Sequence, residues 1–154
     1  MRRIIALAVF VTVFGASGST FAQPAAPAKS LYDRLGGTYS IATVVDDFIE
    51  RLLVNVTLNG NPAIKEARDR VPKAGLKFHV TALVCEVTGG PCKYSGRSMK
   101  ESHAKLNIND AQWNAMVADF RATLSRFKVP AGEQDELIKI VGSTKADIVV
   151  AGTR

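Results

Sequence analysis

The 154-residue sequence contains very few of the residue types that carry most enzyme and metal chemistry. It has two histidines, His79 and His103, and two cysteines, Cys85 and Cys92. These side chains lack the close ligand spacings typical of structural zinc motifs, and they suggest no Ser-His-Asp arrangement. No region shows convincing alternation of apolar and polar residues, and there is no internal repeat. The sequence therefore disfavours a zinc finger, a serine hydrolase and a β-sheet protein.

The N-terminus has the features of a Sec-type signal peptide. Arg2 and Arg3 precede an apolar run at residues 4–16 that is too short for a comfortable membrane span. Small and polar residues follow, and Thr20-Phe21-Ala22 resembles a cleavage site. We therefore expect a signal peptide at residues 1–22. The alternative is an uncleaved membrane anchor.

Cleavage would leave a periplasmic or secreted chain with no stable membrane insertion. The formal charge would fall from +6 to +4, because the signal peptide holds two arginines and no acidic residue. The remaining basic residues are scattered, so we expect no nucleic-acid partner. Residues 23–30 are rich in proline and alanine and predict a flexible linker, which leaves one domain at residues 31–150.

Apolar residues recur at three- and four-residue steps along this domain, which predicts an all-α protein. The expected helices of the first half are a turn at residues 31–35, a long helix stopped at Asn59-Gly60, a short charged connector at 63–70 and a helix at about 72–87. A short helix carrying Met99 and His103 follows, and then a helix capped by Asn109 with Gln112. The last helix should have Pro130 in its first turn, and its helical phase continues past Ile148. Such helices suit a four-helix bundle or a globin-like sandwich.

Gly89-Gly90-Pro91 should turn the chain back between two helices. His79 lies on an apolar helix face before this hinge, and His103 lies after it. The hinge could therefore place the two imidazoles on either side of something flat. Cys85 and Cys92 flank the glycines; they could form a disulfide in an exported chain, or remain a buried thiol and a free loop thiol.

A non-covalent haem b fits these features. It needs an apolar pocket, an imidazole aimed at the iron, and cations or hydroxyls near the propionates. The absence of a Cys-x-x-Cys-His segment excludes covalent c-type attachment. The candidate haem-contacting residues, besides the histidines, are Phe48, Leu76, Lys77, Lys93, Tyr94, Arg97 and Met99. The alternative is that Tyr94 and Arg97 belong to a solvated loop.

The sequence resembles the truncated haemoglobins, most nearly the group I type, over about residues 31–142. The matching segments are Leu31-Tyr32-Asp33-Arg34-Leu35-Gly36-Gly37, Val44-Val45-Asp46-Asp47-Phe48, Gly89-Gly90-Pro91 and Tyr94-Ser95-Gly96-Arg97-Ser98-Met99-Lys100-Glu101-Ser102-His103. The resemblance implies a two-over-two helical sandwich, a shortened globin, with His103 as the proximal ligand to haem iron. The second nitrogen of that imidazole should bond a carbonyl near Met99, one turn earlier.

The distal side departs from the family pattern. Ile49 occupies the position of a common tyrosine, Val80 that of a common glutamine, and Asn61-Pro62 that of a phenylalanine pair. The usual hydrogen-bond donors to a bound diatomic ligand are therefore missing. In members similar to the cyanobacterial proteins, a histidine matching His79 is a sixth iron ligand; here it could instead face solvent or a propionate. No histidine lies near the C-terminus, so we expect no covalent link to a haem vinyl group.

Two functions remain open at this point. The first is an exported haem protein that binds O₂, NO or CO at the iron, with His103 as proximal ligand and His79 competing for the sixth position. Nitric oxide dioxygenase, peroxidase-like or electron-transfer chemistry would then depend on a reductase partner. The second is a haem-free periplasmic interaction module on a globin fold, which the replacements Ile49, Val80 and Pro62 make worth stating.

Overall fold

The computed structural model describes residues 28–150, and the described chain is all-helical. Its helices are α1 (Leu31–Arg34), α2 (Gly37–Val54), α3 (Val56–Asn59), α4 (Pro62–Arg70), α5 (Lys73–Val87), α6 (Met99–His103), α7 (Asp110–Arg126), α8 (Ala131–Ser143) and α9 (Lys145–Ile148). The predicted signal peptide and most of the predicted linker lie outside the described residues. No helix in this range combines the length and apolarity needed to cross a membrane.

Side-chain caps fix where several helices begin. Asn109 accepts from the backbone N–H of Gln112, and the Gln112 side chain accepts from the N–H of Asn109, which confirms the predicted capping box of α7. Ser98 and Glu101 form the same reciprocal pair at the start of α6. This second box matters most for function, because it sets the start of the short helix that carries His103.

Three predicted helix boundaries were wrong. The long helix that was expected to run to Asn59 breaks at Asn55, whose side chain accepts from the N–H groups of Thr57 and Leu58 and starts α3. The last helix ends at Ser143, and the segment after α9 leaves the helical path, since Val149 forms an isolated parallel bridge with Ile108. Pro130 precedes α8 as its cap residue rather than lying inside it.

The core consists of three apolar clusters between packed helices. The α2–α5 cluster contains Ile41, Val45, Ile49 and Cys85; the α7–α8 cluster contains Leu31, Phe120, Leu124 and Leu137; the α7–α9 cluster contains Ile108, Trp113 and Ile148. Phe48 packs against the first two, and its ring lies 5.0 Å from that of Phe120. The helix bearing His79 thus packs on one cluster, whereas Met99 of α6 packs on another.

The N-terminal segment is fastened to the glycine hinge. The backbone N–H of Tyr32 donates to the carbonyl of Thr88 at 2.8 Å, and Gly89 adopts a φ of 88° that favours glycine. A side chain on Gly90 would collide with the Tyr32 ring and with Cys85. Tyr32 therefore ties α1 to the Gly89-Gly90 hinge.

Candidate functional site

His103 lies at the end of α6 with one ring nitrogen fixed. Its Nδ1 is 2.8 Å from the carbonyl oxygen of Met99, one turn earlier, as predicted. Because a carbonyl can only accept, Nδ1 carries the proton, and Nε2 keeps its lone pair. The ring is half-buried. This is the arrangement that a metal-binding imidazole needs, with its tautomer and orientation set by a backbone acceptor.

His79 is half-buried on α5 and has an unsatisfied nitrogen. Its Nδ1 is buried and is the one buried side-chain polar atom without a hydrogen-bond partner in the described chain. Two aromatic rings meet the imidazole nearly edge-on, Phe78 at 5.5 Å and Tyr94 at 6.1 Å between ring centroids. Buried polar atoms are nearly always paired, so an orphan at a suspected ligand site points to a missing partner.

The loop between the hinge and α6 is built around Tyr94. Its backbone N–H donates to Glu86 Oε2 at 3.1 Å, and its hydroxyl donates to the carbonyl of Arg97 at 2.7 Å. A side chain on Gly96 would collide with the Tyr94 ring, so glycine is required there. Tyr94 is therefore part of an ordered loop in contact with His79, and the solvated-loop alternative does not describe it.

The three basic residues predicted near the haem propionates, Lys77, Lys93 and Arg97, have different environments. The Lys77 ammonium is 2.5 Å from both Asp46 and Glu50 of α2, and these hydrogen bonds raise the pKa of Lys77. Any propionate would have to compete with these carboxylates. Lys93 is 91% exposed and lies 3.7 Å from Glu86. Arg97 is exposed, with no hydrogen bond or ion pair of its guanidinium among the described residues.

Several apolar side chains of α5, α6 and α7 are only partly buried. Leu76 and Val80 of α5 pack against the α2–α5 cluster, and Met99 and Met116 pack against the α7–α9 cluster, yet all four are only half-buried. Ile49 is 2% exposed and is part of the α2–α5 cluster itself. Two of the distal positions that depart from the family pattern, Ile49 and Val80, are thus filled by apolar side chains.

Sequence reasoning did not anticipate two neighbouring cavities. An apolar cavity of about 40 Å³ and an outer pocket of about 320 Å³ share the lining residues Leu35, Ser40, Val44 and Val129. The inner cavity also reaches Val84 and Phe120. Cavities arise from the relative placement of four helices, which no local pattern in the chain encodes.

The two cysteines form a disulfide, Cys85–Cys92, which resolves the alternatives left open by the sequence. Thr38 Oγ1 lies 3.8 Å from each sulfur. A metal site with two histidines and two cysteine thiolates as ligands is therefore excluded, because neither sulfur is a free thiolate. No cluster of three or more potential ligands among His, Cys, Asp and Glu occurs in residues 28–150.

These observations fit a haem between α5 and α6. His103 presents a free Nε2, His79 has an unsatisfied nitrogen, and half-buried Leu76 and Met99 lie about one turn before them on the same helices. The pair His79 and Tyr94 is brought into contact, whereas Lys77 is turned towards α2.

The helix order and packing define an all-α globin of the shortened two-over-two type. The chain belongs to the bacterial-like globin family, whose model matches residues 30–150. No curated protein matches the sequence.

Two solved structures show the shared fold. The truncated haemoglobin of Tetrahymena pyriformis in its Fe(III) form is 22% identical, covers 79% of this chain and 98% of its own, and has a TM-score of 0.66. The 2/2 haemoglobin of Synechococcus sp. PCC 7002, in the cyanomet state with covalently attached haem, is 24% identical with the same coverage and a TM-score of 0.66.

Proposed function

We propose that this protein is a haem-binding truncated globin with His103 as the proximal iron ligand. The observation that carries the proposal is the hydrogen bond from His103 Nδ1 to the Met99 carbonyl, because it leaves Nε2 as the coordinating nitrogen. Membership in a globin family and the unsatisfied Nδ1 of His79 support it. The haem is of the b type, since the chain has no attachment motif for a covalent one.

The remaining residues would hold the porphyrin by its faces and edge. Phe48, Leu76 and Met99 supply apolar contact, and Arg97, with Tyr94 and Lys93 nearby in the loop, supplies the polar edge. Lys77 contributes less, because two carboxylates already hold its ammonium. Haem, when bound, supplies an iron that takes up a small ligand and can change its oxidation state.

The proposed ligands are O₂, NO and CO, with a reductase as redox partner. Ile49 and Val80 offer such a ligand no hydrogen bond. His79 therefore competes with it for the sixth position, in keeping with the group I resemblance.

We also propose that the chain is exported after cleavage of residues 1–22. The disulfide supports this, because such bonds persist in oxidising compartments. Mass spectrometry of the protein from a periplasmic fraction should give a chain that begins near Gln23 and lacks two thiol hydrogens. An intact N-terminus in a membrane fraction would contradict export by cleavage.

Absorption spectra of the mature chain test the haem proposal. The wild-type protein should take up hemin and show a strong Soret band, and His103→Ala should abolish proximal ligation, whereas Ser102→Ala on the same helix should retain it. His79→Leu should convert a six-coordinate spectrum to a five-coordinate one, with Phe78→Leu as the neighbouring control. A folded wild-type protein that stays colourless would refute haem binding and leave the interaction module.

A further inference from the structure

We propose that Tyr94, held in place by the Cys85–Cys92 bridge, positions the His79 imidazole for iron and so sets how strongly His79 competes with external ligands. The inference rests on the proposed haem function and deepens it. Tyr94 is a positioning residue, since it acts through His79. The clamp consists of Cys85 and Glu86 of α5 and of Cys92 and Tyr94 of the following loop.

Three contacts tie the loop to the helix that bears His79. The disulfide joins Cys85 of α5 to Cys92, and the Tyr94 N–H donates to Glu86 Oε2 at 3.1 Å. Lys93 adds an exposed ion pair to Glu86 at 3.7 Å. Cys85 is fully buried among the α2–α5 cluster, so this anchor point is fixed to the core. Together these contacts hold the backbone at Tyr94 to α5.

The ring of Tyr94 carries this constraint to the imidazole. The two rings are at 85° to each other with their centroids 6.1 Å apart, an edge-to-face geometry. The Tyr94 hydroxyl donates to the Arg97 carbonyl, and the ring fills the space left by the missing side chain of Gly96. The ring is thus fixed at its far end as well, and it cannot swing away from His79 without opening the loop.

A fixed imidazole binds a metal more strongly than a mobile one, because less rotamer freedom is lost on ligation. Removing the Tyr94 ring should therefore lower the ratio of six- to five-coordinate ferric haem by roughly two- to tenfold, which is the fold-change expected for one side chain that becomes mobile. The apparent affinity for cyanide should rise by a similar factor, since a smaller fraction of sites is blocked by His79.

Four variants separate the clamp from other effects. Tyr94→Leu removes the ring and should show the full change, whereas Tyr94→Phe keeps the ring, loses only its hydroxyl bond to the Arg97 carbonyl, and should change either readout by no more than about twofold. Cys85→Ala/Cys92→Ser opens the bridge and should shift both readouts in the same direction as Tyr94→Leu. Phe78→Leu removes the other ring beside His79. Because Phe78 is 66% exposed, this change should have little effect on either readout. Equal effects of Phe78→Leu and Tyr94→Leu, or tighter His79 ligation in Tyr94→Leu, would overturn the proposal.

A haem-free readout keeps this test independent of haem uptake. In protein prepared without haem, nuclear Overhauser contacts should join the His79 and Tyr94 rings in the wild type and in Tyr94→Phe, and they should weaken when the bridge is opened. Normal haem uptake without these contacts would refute the clamp and leave the haem proposal intact. Contacts in a chain that never takes up haem would refute the haem proposal and, with it, the role of the clamp in ligation.

Discussion

Replacing Asp47 with alanine should destabilise the fold more than any other single change to a charged residue of α2. Its carboxylate accepts a hydrogen bond from Thr123 Oγ1 of α7 at 3.0 Å and from Arg51 Nε at 2.8 Å, and it pairs with Arg126. Thr123 is completely buried. The carboxylate therefore joins α2 to α7 beside the Phe48–Phe120 contact.

The expected loss follows from the hydroxyl that Asp47→Ala leaves without an acceptor. A buried, unsatisfied hydroxyl costs about 1–3 kcal/mol. Each of the two partly exposed arginine pairs adds at most about 1 kcal/mol. We therefore expect the free energy of unfolding to fall by about 3 kcal/mol, or the Tm to fall by on the order of 10 °C. Asp47→Asn retains an acceptor for Thr123 and should lose only about 1 kcal/mol.

Urea unfolding of haem-free protein measures this difference, with Asp46→Ala as the matched control. Asp46 is the adjacent residue, its side chain is 62% exposed, and its one ion pair among residues 28–150 is with Lys77, so the free energy of unfolding of Asp46→Ala should stay within about 1 kcal/mol of wild type. An Asp47→Ala variant as stable as Asp46→Ala would refute the assigned role of Thr123. Asp47→Asn as unstable as Asp47→Ala would show that charge, rather than the acceptor, matters.

The loss of stability in Asp47→Ala should also depend on pH. Burial acts to raise the pKa of Asp47, but hydrogen bonds from Arg51 and Thr123 and the charge of Arg126 outweigh it and lower the pKa below 3.8. A lowered folded-state pKa stabilises the protein above the unfolded pKa, and the contribution is lost as the pH falls through the folded value. The gap between wild type and Asp47→Ala should be constant near neutral pH and shrink below about pH 4.

Two further substitutions test the packing around the site. Gly90→Ala should destabilise the protein by about 1–3 kcal/mol, because its Cβ would collide with Tyr32 and Cys85. The control is Gly132→Ala in the open first turn of α8, which should be neutral or slightly stabilising. Equal shifts of the Tm in the two variants would contradict this prediction. Asn61→Ala should lower the free energy of unfolding by about 2 kcal/mol, because buried Asn61 caps α4 and donates to the Leu106 carbonyl at 2.8 Å. An unchanged midpoint of urea unfolding would exclude this link between α4 and the segment before α7.

Local patterns predicted most of the helices and the hydrogen bond between His103 and Met99. The apolar period of α5, the capping box of α7 and the glycine hinge are all encoded within a few consecutive residues, and the structure confirms them. The His103–Met99 hydrogen bond was predictable for the same reason, since it spans one helical turn.

Contacts between distant segments could not be predicted in this way. No local pattern connects Asp47 with Thr123, a buried threonine 76 residues later that donates a hydrogen bond to it. Lys77 was expected at the haem edge, whereas Asp46 and Glu50 hold its ammonium. Long side chains choose among several partners within reach, and only the helix packing decides which partner is nearest. The break at Asn55 was missed because capping asparagines are also tolerated inside an apolar period.

The unpaired nitrogen of His79 and the apolar residues near it together restrict what the distal side of this globin can do. Ile49 and Val80 lie in the α2–α5 cluster and can donate no hydrogen bond, while the Tyr94 hydroxyl is already bonded to Arg97. Within the described chain, His79 is left as the polar side chain available to a small ligand there. In the proposed haem complex the same imidazole competes for the iron, so it must move aside before a ligand binds. Ligand affinity would then depend mainly on how firmly the loop holds His79, and a change in Tyr94 should alter it more than a polar substitution at Ile49.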